Sequence, residues 1–264
     1  MISKIKNILK KKNITKIVCL TAYSKNIAKI LDDHVDIVLV GDSMANVLYG
    51  HDNTHQITLE NIIQHTLSVR KGVKKSLLVV DMPKGTYNNS KFAYKNSKKL
   101  IKKTKCDAIK IENNKKNYKI IKFLVKQKIP VMGHIGYTPQ FKKKFKVQGQ
   151  SHKESLKLLK EAQVIEKAGA FSIVLECLAP SVAKMITKKL KIPTIGIGSS
   201  RYCDGQILVT DDMLGISGFY PKFVKKYLDL GGLIEKAVKK YATEVKLNKF
   251  PKKNNFLNGS KPRK

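Results

Sequence analysis

The 264-residue chain has no tryptophan, only four cysteines and only three arginines. Acidic residues are few as well, 19 against 53 basic ones. Each shortage excludes something. The cysteines, Cys19, Cys106, Cys177 and Cys203, have no metal-ligand spacing and fall in or beside apolar segments, so they read as reduced packing residues, neither disulfides nor ligands. The longest apolar stretches are of strand length, so no segment is expected to span a bilayer. The opening MISKIKNILKKK lacks the unbroken apolar core of a signal peptide, and a cytoplasmic protein is expected. The formal charge of +34 suggests binding to a polyanion. Apart from Arg70, Arg201 and Arg263, however, the basic residues are all lysines spread over every expected helix, and the planar fork that reads bases and phosphates belongs to arginine. Weak, salt-sensitive adsorption is expected, not specific nucleic-acid recognition.

Four short apolar runs each end on a carboxylate: DIVLVGD at Asp36 to Asp42, SLLVVD at Ser76 to Asp81, AIKIE at Ala108 to Glu112, and SIVLE at Ser172 to Glu176. Runs so rich in Val, Ile and Leu read as parallel strands buried on both faces. Acids that recur at strand ends of one parallel sheet converge on its C-terminal edge, where α/β folds bind ligands. Strands expected at 17–22, 36–41, 76–81, 108–112, 130–134, 172–176, 194–198 and 207–210 alternate with amphipathic helices at 25–33, 58–71, 90–104, 116–127, 152–168 and 181–190. Ser151 and Glu154 form a capping box and Gly169 is a helix stop. About eight βα units predict an α/β fold, a single-domain TIM (β/α)8 barrel over residues 1–247. A doubly wound open sheet is the alternative, weakened by the absence of a GxGxxG turn. Further helices are expected at 221–230 and 233–245, and residues 248–264 read as a basic, disordered tail.

Asp42 and Asp81, ending adjacent strands, offer two hard oxygen ligands at one point, a plausible Mg²⁺ site that leaves room for a chelating substrate. The plainer reading of each is a loop or helix cap. Lys110 alternates with Glu112 and shares its face. It could neutralise an anionic intermediate, form a Schiff base, or simply pair with Glu112. Glu176 is a candidate general base, or a cap before Pro180. His134 is a strand-end histidine that could act on substrate or be a satisfied core residue.

These segments are similar to a known family. VGDSMANVLYGHD at Val40 to Asp52 and TLENIIQHTLSVRKG at Thr58 to Gly72 resemble the ketopantoate hydroxymethyltransferases. LLVVDMP, IKIE, IPVMGHIGYTPQ, KVQGQ, VLEC, IPTIGIGSS, DGQILV and PKF do too, in order, from about Thr21 to Tyr227. The resemblance implies transfer of a hydroxymethyl group from 5,10-methylenetetrahydrofolate to 3-methyl-2-oxobutanoate, giving 2-dehydropantoate for pantothenate and coenzyme A. It implies a Mg²⁺-dependent barrel assembled as a homodecamer. By the same resemblance Asp42 and Asp81 hold the metal with Glu112 nearby, Ser43, Lys110 and His134 contact the keto acid, and Glu176 removes its C3 proton. Four loops, at 44–46, 82–87, 141–150 and 198–203, depart from the family pattern. Three alternatives stand beside this one: a metal-free Schiff-base aldolase using Lys110, a related metal-dependent 2-oxo acid lyase or mutase, and a polyanion-binding protein.

Overall fold

A computed structural model describes residues 2–114, 116–142, 145–218 and 220–256. Eight parallel strands close into a barrel in sequence order. They are β1 (Ile17–Thr21), β2 (Ile37–Val40), β3 (Leu77–Asp81), β4 (Ala108–Glu112), β5 (Val131–Gly136), β6 (Ser172–Glu176), β7 (Thr194–Ile197) and β8 (Gly205–Leu208), with β8 pairing back onto β1. The helices are α1 (Ile2–Lys10), α2 (Lys25–Leu31), α3 (Met44–Val47), α4 (Leu59–Gly72), α5 (Ser90–Thr104), α6 (Asn117–Lys126), α7 (His152–Lys167), α8 (Pro180–Lys189), α9 (Thr210–Leu214) and α10 (Leu230–Lys246). The expected (β/α)8 barrel is the fold.

Period two along each strand divides the core in two. Ile17, Cys19, Ile37, Leu39, Leu77, Val79, Ala108, Met132, Val174, Ile195 and Ile207 point inward and fill the barrel. Val38, Val40, Leu78, Val80, Ile109, Ile111, Ile135, Ile173 and Leu175 point outward under the helices. The same parity sends Asp81, Lys110, Glu112, His134 and Glu176 inward at the top, and the apolar filling below them excludes water from their feet.

Helix α1, not anticipated from the sequence, lies across the opposite end. Its Ile5 and Ile8 pack against the interior residues, and Lys4 Nζ donates to the Ser76 carbonyl at 2.8 Å. The plugged bottom leaves the C-terminal face as the open one.

Local chemistry sets the helix boundaries. Asn89 caps α5 by accepting from the Phe92 N–H at 2.9 Å. Thr58 and Asn61 exchange side-chain and backbone bonds as a capping box on α4. At α7, Ser151 accepts from the Glu154 N–H as expected, but the Glu154 carboxylate reaches back to the Gln150 N–H, one residue before the cap. The helix expected over 221–230 does not form. Tyr227 N–H instead bonds to the Met213 carbonyl, the Phe223 ring lies against Gly198, and Asp229 caps α10 by accepting from Gly232 N–H. Helix α10 then covers the second expected helix. None of its residues is buried. Of the expected tail, residues 248–256 hold a 3-10 turn at Lys253–Asn255 and place Phe250 edge-on to Tyr241; residues 257–264 lie outside the described residues.

Candidate active site

Strand register builds the site. Parallel pairing sets Asp81 beside Lys110, Glu112 beside His134, and Gly136 beside Glu176. These chains rise into a cavity of about 990 Å³, lined also by Asp42, Ser43, Thr21, Leu39, Val174 and Ile207. The acids and Lys110 come from β2 to β6, while Ile197 of β7 and Ile207 and Leu208 of β8 supply an apolar wall.

Asp42 stands two residues beyond the end of β2, and its backbone N–H donates to Asp81 Oδ2 at 3.0 Å. Gly41 leaves room beside it for Ser43, whose Oγ a Cβ there would meet at 2.8 Å. Lys110 Nζ lies 2.9 Å from Asp81 Oδ1 and 3.4 Å from His134 Nδ1. His134 Nε2 lies 3.1 Å from Glu176 Oε2, without hydrogen-bond alignment. Ser43 Oγ pairs with the buried Tyr23 hydroxyl at 2.8 Å.

Burial governs the protonation states. It pushes Asp42 up to about 7, reinforced by the Asp81 charge, and Glu176 up to about 8. Glu112 is also raised well above the usual carboxylate range, by burial and then by Asp42. His134 is held well below its ordinary value by burial and by the Lys110 ammonium, so it is neutral. For Lys110, burial opposes the charge, but Asp81, Glu112 and Asp42 outweigh it and its pKa is raised. A raised lysine pKa is the reverse of what a Schiff-base nucleophile needs.

Whether these residues suit a cation is answered by their donors. Glu112 Oε1 is buried and accepts no hydrogen bond, Asp81 Oδ1 is held by the Lys110 ammonium, and the set is all hard carboxylate oxygen, which suits Mg²⁺. Among the described residues, no three His, Cys, Asp or Glu side chains close into a metal cage. The expected trio of Asp42, Asp81 and Glu112 is therefore not assembled as one; Glu112 Oε2 is instead bound by the Gln140 N–H at 3.1 Å. Mg²⁺ typically needs only one or two protein carboxylates, and Asp42 with Asp81 meet that.

Sequence reasoning missed Tyr23, Tyr87 and Gln140. Gln140 is 1% exposed and stands in the loop after β5, where only the run of polar side chains after a strand end marked it.

The chain matches the family described as ketopantoate hydroxymethyltransferase over residues 2–253. It is 55% identical over 253 residues to the 3-methyl-2-oxobutanoate hydroxymethyltransferase of Pelagibacter ubique, covering 96% of this chain and 98% of that one. It is 46% identical to the Anaplasma marginale (strain St. Maries) protein of the same name, covering 95% of this chain and 92% of that one. Among solved structures, a phosphonopyruvate hydrolase complex with oxalate and Mg²⁺ superposes with a TM-score of 0.60 at 11% identity, covering 98% of this chain and 92% of that one. A 2,3-dimethylmalate lyase gives 0.60 at 14%, with 98% and 91% covered; identities this low carry the barrel fold alone. Family match and close relatives together extend over nearly the whole chain, and the chain belongs to the ketopantoate hydroxymethyltransferase family.

Proposed function

We propose that this protein transfers a hydroxymethyl group from 5,10-methylenetetrahydrofolate to 3-methyl-2-oxobutanoate, giving 2-dehydropantoate for pantothenate and coenzyme A. The observation that carries this reading is a half-buried carboxylate with a pKa near 8, Glu176, sharing one cavity with the paired acids Asp42 and Asp81. Family membership supports the choice of substrates.

Asp42 and Asp81 would hold Mg²⁺, with Glu112 as the third acid beside them. When bound, the ion polarises the keto group of a 2-oxo acid and acidifies the neighbouring C–H. Ser43, Lys110 and His134 orient the acid. Its carboxylate faces the polar half of the cavity and its branched alkyl end meets Leu39, Val174 and Ile207. Glu176 takes the C3 proton. A base with a pKa near 8 holds that proton well at neutral pH and still has an ionised fraction to begin with. Lys110, cationic throughout, stabilises the negative charge that develops on the oxygen. Neutral His134 stands against both Lys110 and Glu176 and adds no competing charge. The carbanion carbon then attacks the one-carbon unit, so no protein nucleophile is required.

The assembly proposed is the homodecamer implied by family likeness. Ile234, Val238, Tyr241 and Val245 recur at helical spacing along α10 and are 41–57% exposed, which supports self-association through that helix with a second copy of the chain. A cytoplasmic location accords with a biosynthetic enzyme in which, among the described residues, no helix is long and apolar enough to cross a membrane.

The test is formation of 2-dehydropantoate from the two substrates, with Mg²⁺ and with excess chelator. Mg²⁺-dependent product is expected. Product that persists under chelation would overturn the metal role, and no product with Mg²⁺ would overturn the activity.

A further inference from the structure

Gln140 uses every hydrogen-bonding group it has except its backbone carbonyl, on four partners from two loops and a strand. Its side-chain Nε2 donates to Asp42 Oδ2 at 2.8 Å and to the Met82 carbonyl at 3.0 Å. Its backbone N–H donates to Glu112 Oε2 at 3.1 Å. Its Oε1 accepts from the Tyr87 hydroxyl. The amide orientation follows from these partners. Turned over, the amide oxygen would face the Asp42 carboxyl and the Met82 carbonyl, and the Met82 carbonyl would lose its donor. Tyr87 is 3% exposed and is a buried ring whose hydroxyl reinforces that choice.

We propose that Gln140 is the positioning residue of the cation site, and that Tyr87 acts through it. The amide fixes the rotation of the Asp42 carboxylate by engaging one of its oxygens, while the backbone N–H of the same residue fixes Glu112. One residue of the β5 loop thereby sets the facing of acids carried by β2 and β4. The proposal rests on the reading of Asp42 as a cation ligand. Partners that orient ligands in this way are worth about 10–100-fold in metal affinity.

The test uses Mn²⁺ binding to the full-length protein, measured by titration calorimetry with the thermal midpoint recorded for every variant. Wild type is expected to bind Mn²⁺ and Asp42→Asn to lose it. Gln140→Met, which keeps the volume and removes the amide, should weaken Mn²⁺ binding by about 10–100-fold. Tyr87→Phe should weaken it by less, and should add nothing in the Gln140→Met background, since a residue acting only through another shows no separate effect once that other is gone. A merely structural role for either residue would lower the thermal midpoint and leave Mn²⁺ affinity unchanged. If Gln140→Met does not fold, Tyr87→Phe, which keeps both buried shapes, tests the proposal on its own. Mn²⁺ affinity in Gln140→Met equal to wild type, with Asp42→Asn inactive in binding, overturns the role of Gln140 alone. Failure of the wild type to bind Mn²⁺ overturns the metal reading and this proposal with it.

Discussion

His134 Nε2 stands 3.1 Å from Glu176 Oε2 at the top of adjacent strands, the imidazole buried and the carboxyl partly exposed to the cavity. A neutral imidazole beside a carboxyl with a pKa near 8 leaves that carboxyl free to take a proton without a fixed ion pair.

Glu176→Gln keeps the shape and removes the proposed base. We expect kcat to fall by about 10²–10⁴-fold, with little change in the KM for the keto acid. Exchange of the C3 proton of 3-methyl-2-oxobutanoate in D₂O, followed by NMR without folate, isolates the same step. Exchange at the wild-type rate in the variant would assign the base elsewhere.

Asp42→Asn and Asp81→Asn should behave differently from Glu176→Gln. Each is expected to cut activity by more than about 100-fold and to lose Mn²⁺ binding, whereas Glu176→Gln retains it. Calorimetry on the three variants separates ligands from base. Asp81→Asn also leaves Lys110 without its 2.9 Å partner, so a lower thermal midpoint is expected for that variant alone.

The barrel and the acidic strand ends were legible because both rest on period two and on apolar runs of strand length. Asp81, Lys110, Glu112 and Glu176 share the inward face that those patterns specify. Three things were not legible. Helix α1 was not marked by its sequence, because its Ile5 and Ile8 acquire a role only when a closed barrel offers an end to plug. The segment 221–229 has helix-like spacing, but Phe223 finds a better partner against Gly198 than a helix face would give it. Gln140 and Tyr87 lie in loops, and their meeting with Asp42 depends on how far apart the strands stand around the barrel, which no local pattern encodes.

The metal-free protein should lose stability as pH rises through the range set by Glu176. Its carboxyl ionises near 4.5 in an unfolded chain and near 8 when folded. The folded state therefore holds an extra proton between those values, and stability falls with pH across that window and levels off above it. Thermal midpoints of wild type and Glu176→Gln, measured in chelator from pH 5 to 9, should diverge by several degrees, with the variant the more stable at the alkaline end. Parallel curves would show that Glu176 keeps an ordinary pKa.

Val238→Glu and Ile234→Glu, each placed on the exposed apolar stripe of α10, should split the proposed assembly while leaving the barrel folded. A buried carboxylate at a contact between copies costs several kcal/mol unless it is paired, so light scattering should report a smaller species with an unchanged circular dichroism spectrum. Wild-type mass in both variants would move the contact to another surface.

Gly136 ties the fold to the chemistry. It ends β5 at φ +97°, a conformation side chains avoid, and a Cβ there would lie 2.1 Å from the Glu176 carbonyl oxygen and 2.3 Å from Leu178 Cδ1. Nothing flexible can move aside, because the nearer obstacle is backbone. That same carbonyl accepts from the Tyr137 N–H at 2.8 Å, so the turn at Gly136 is what holds the base strand against the loop leading to Gln140. Gly136→Ala must push β6 outward or break the turn, and either shifts Glu176 away from His134. We expect a fall in stability of about 2 kcal/mol or more, read as a thermal midpoint lower by at least several degrees, together with a loss of kcat as Glu176 moves from His134 and a loss of Mn²⁺ affinity as the loop carrying Gln140 moves from Asp42. A wild-type midpoint with wild-type kcat and Mn²⁺ affinity would show that the turn accepts a side chain and does not position the site.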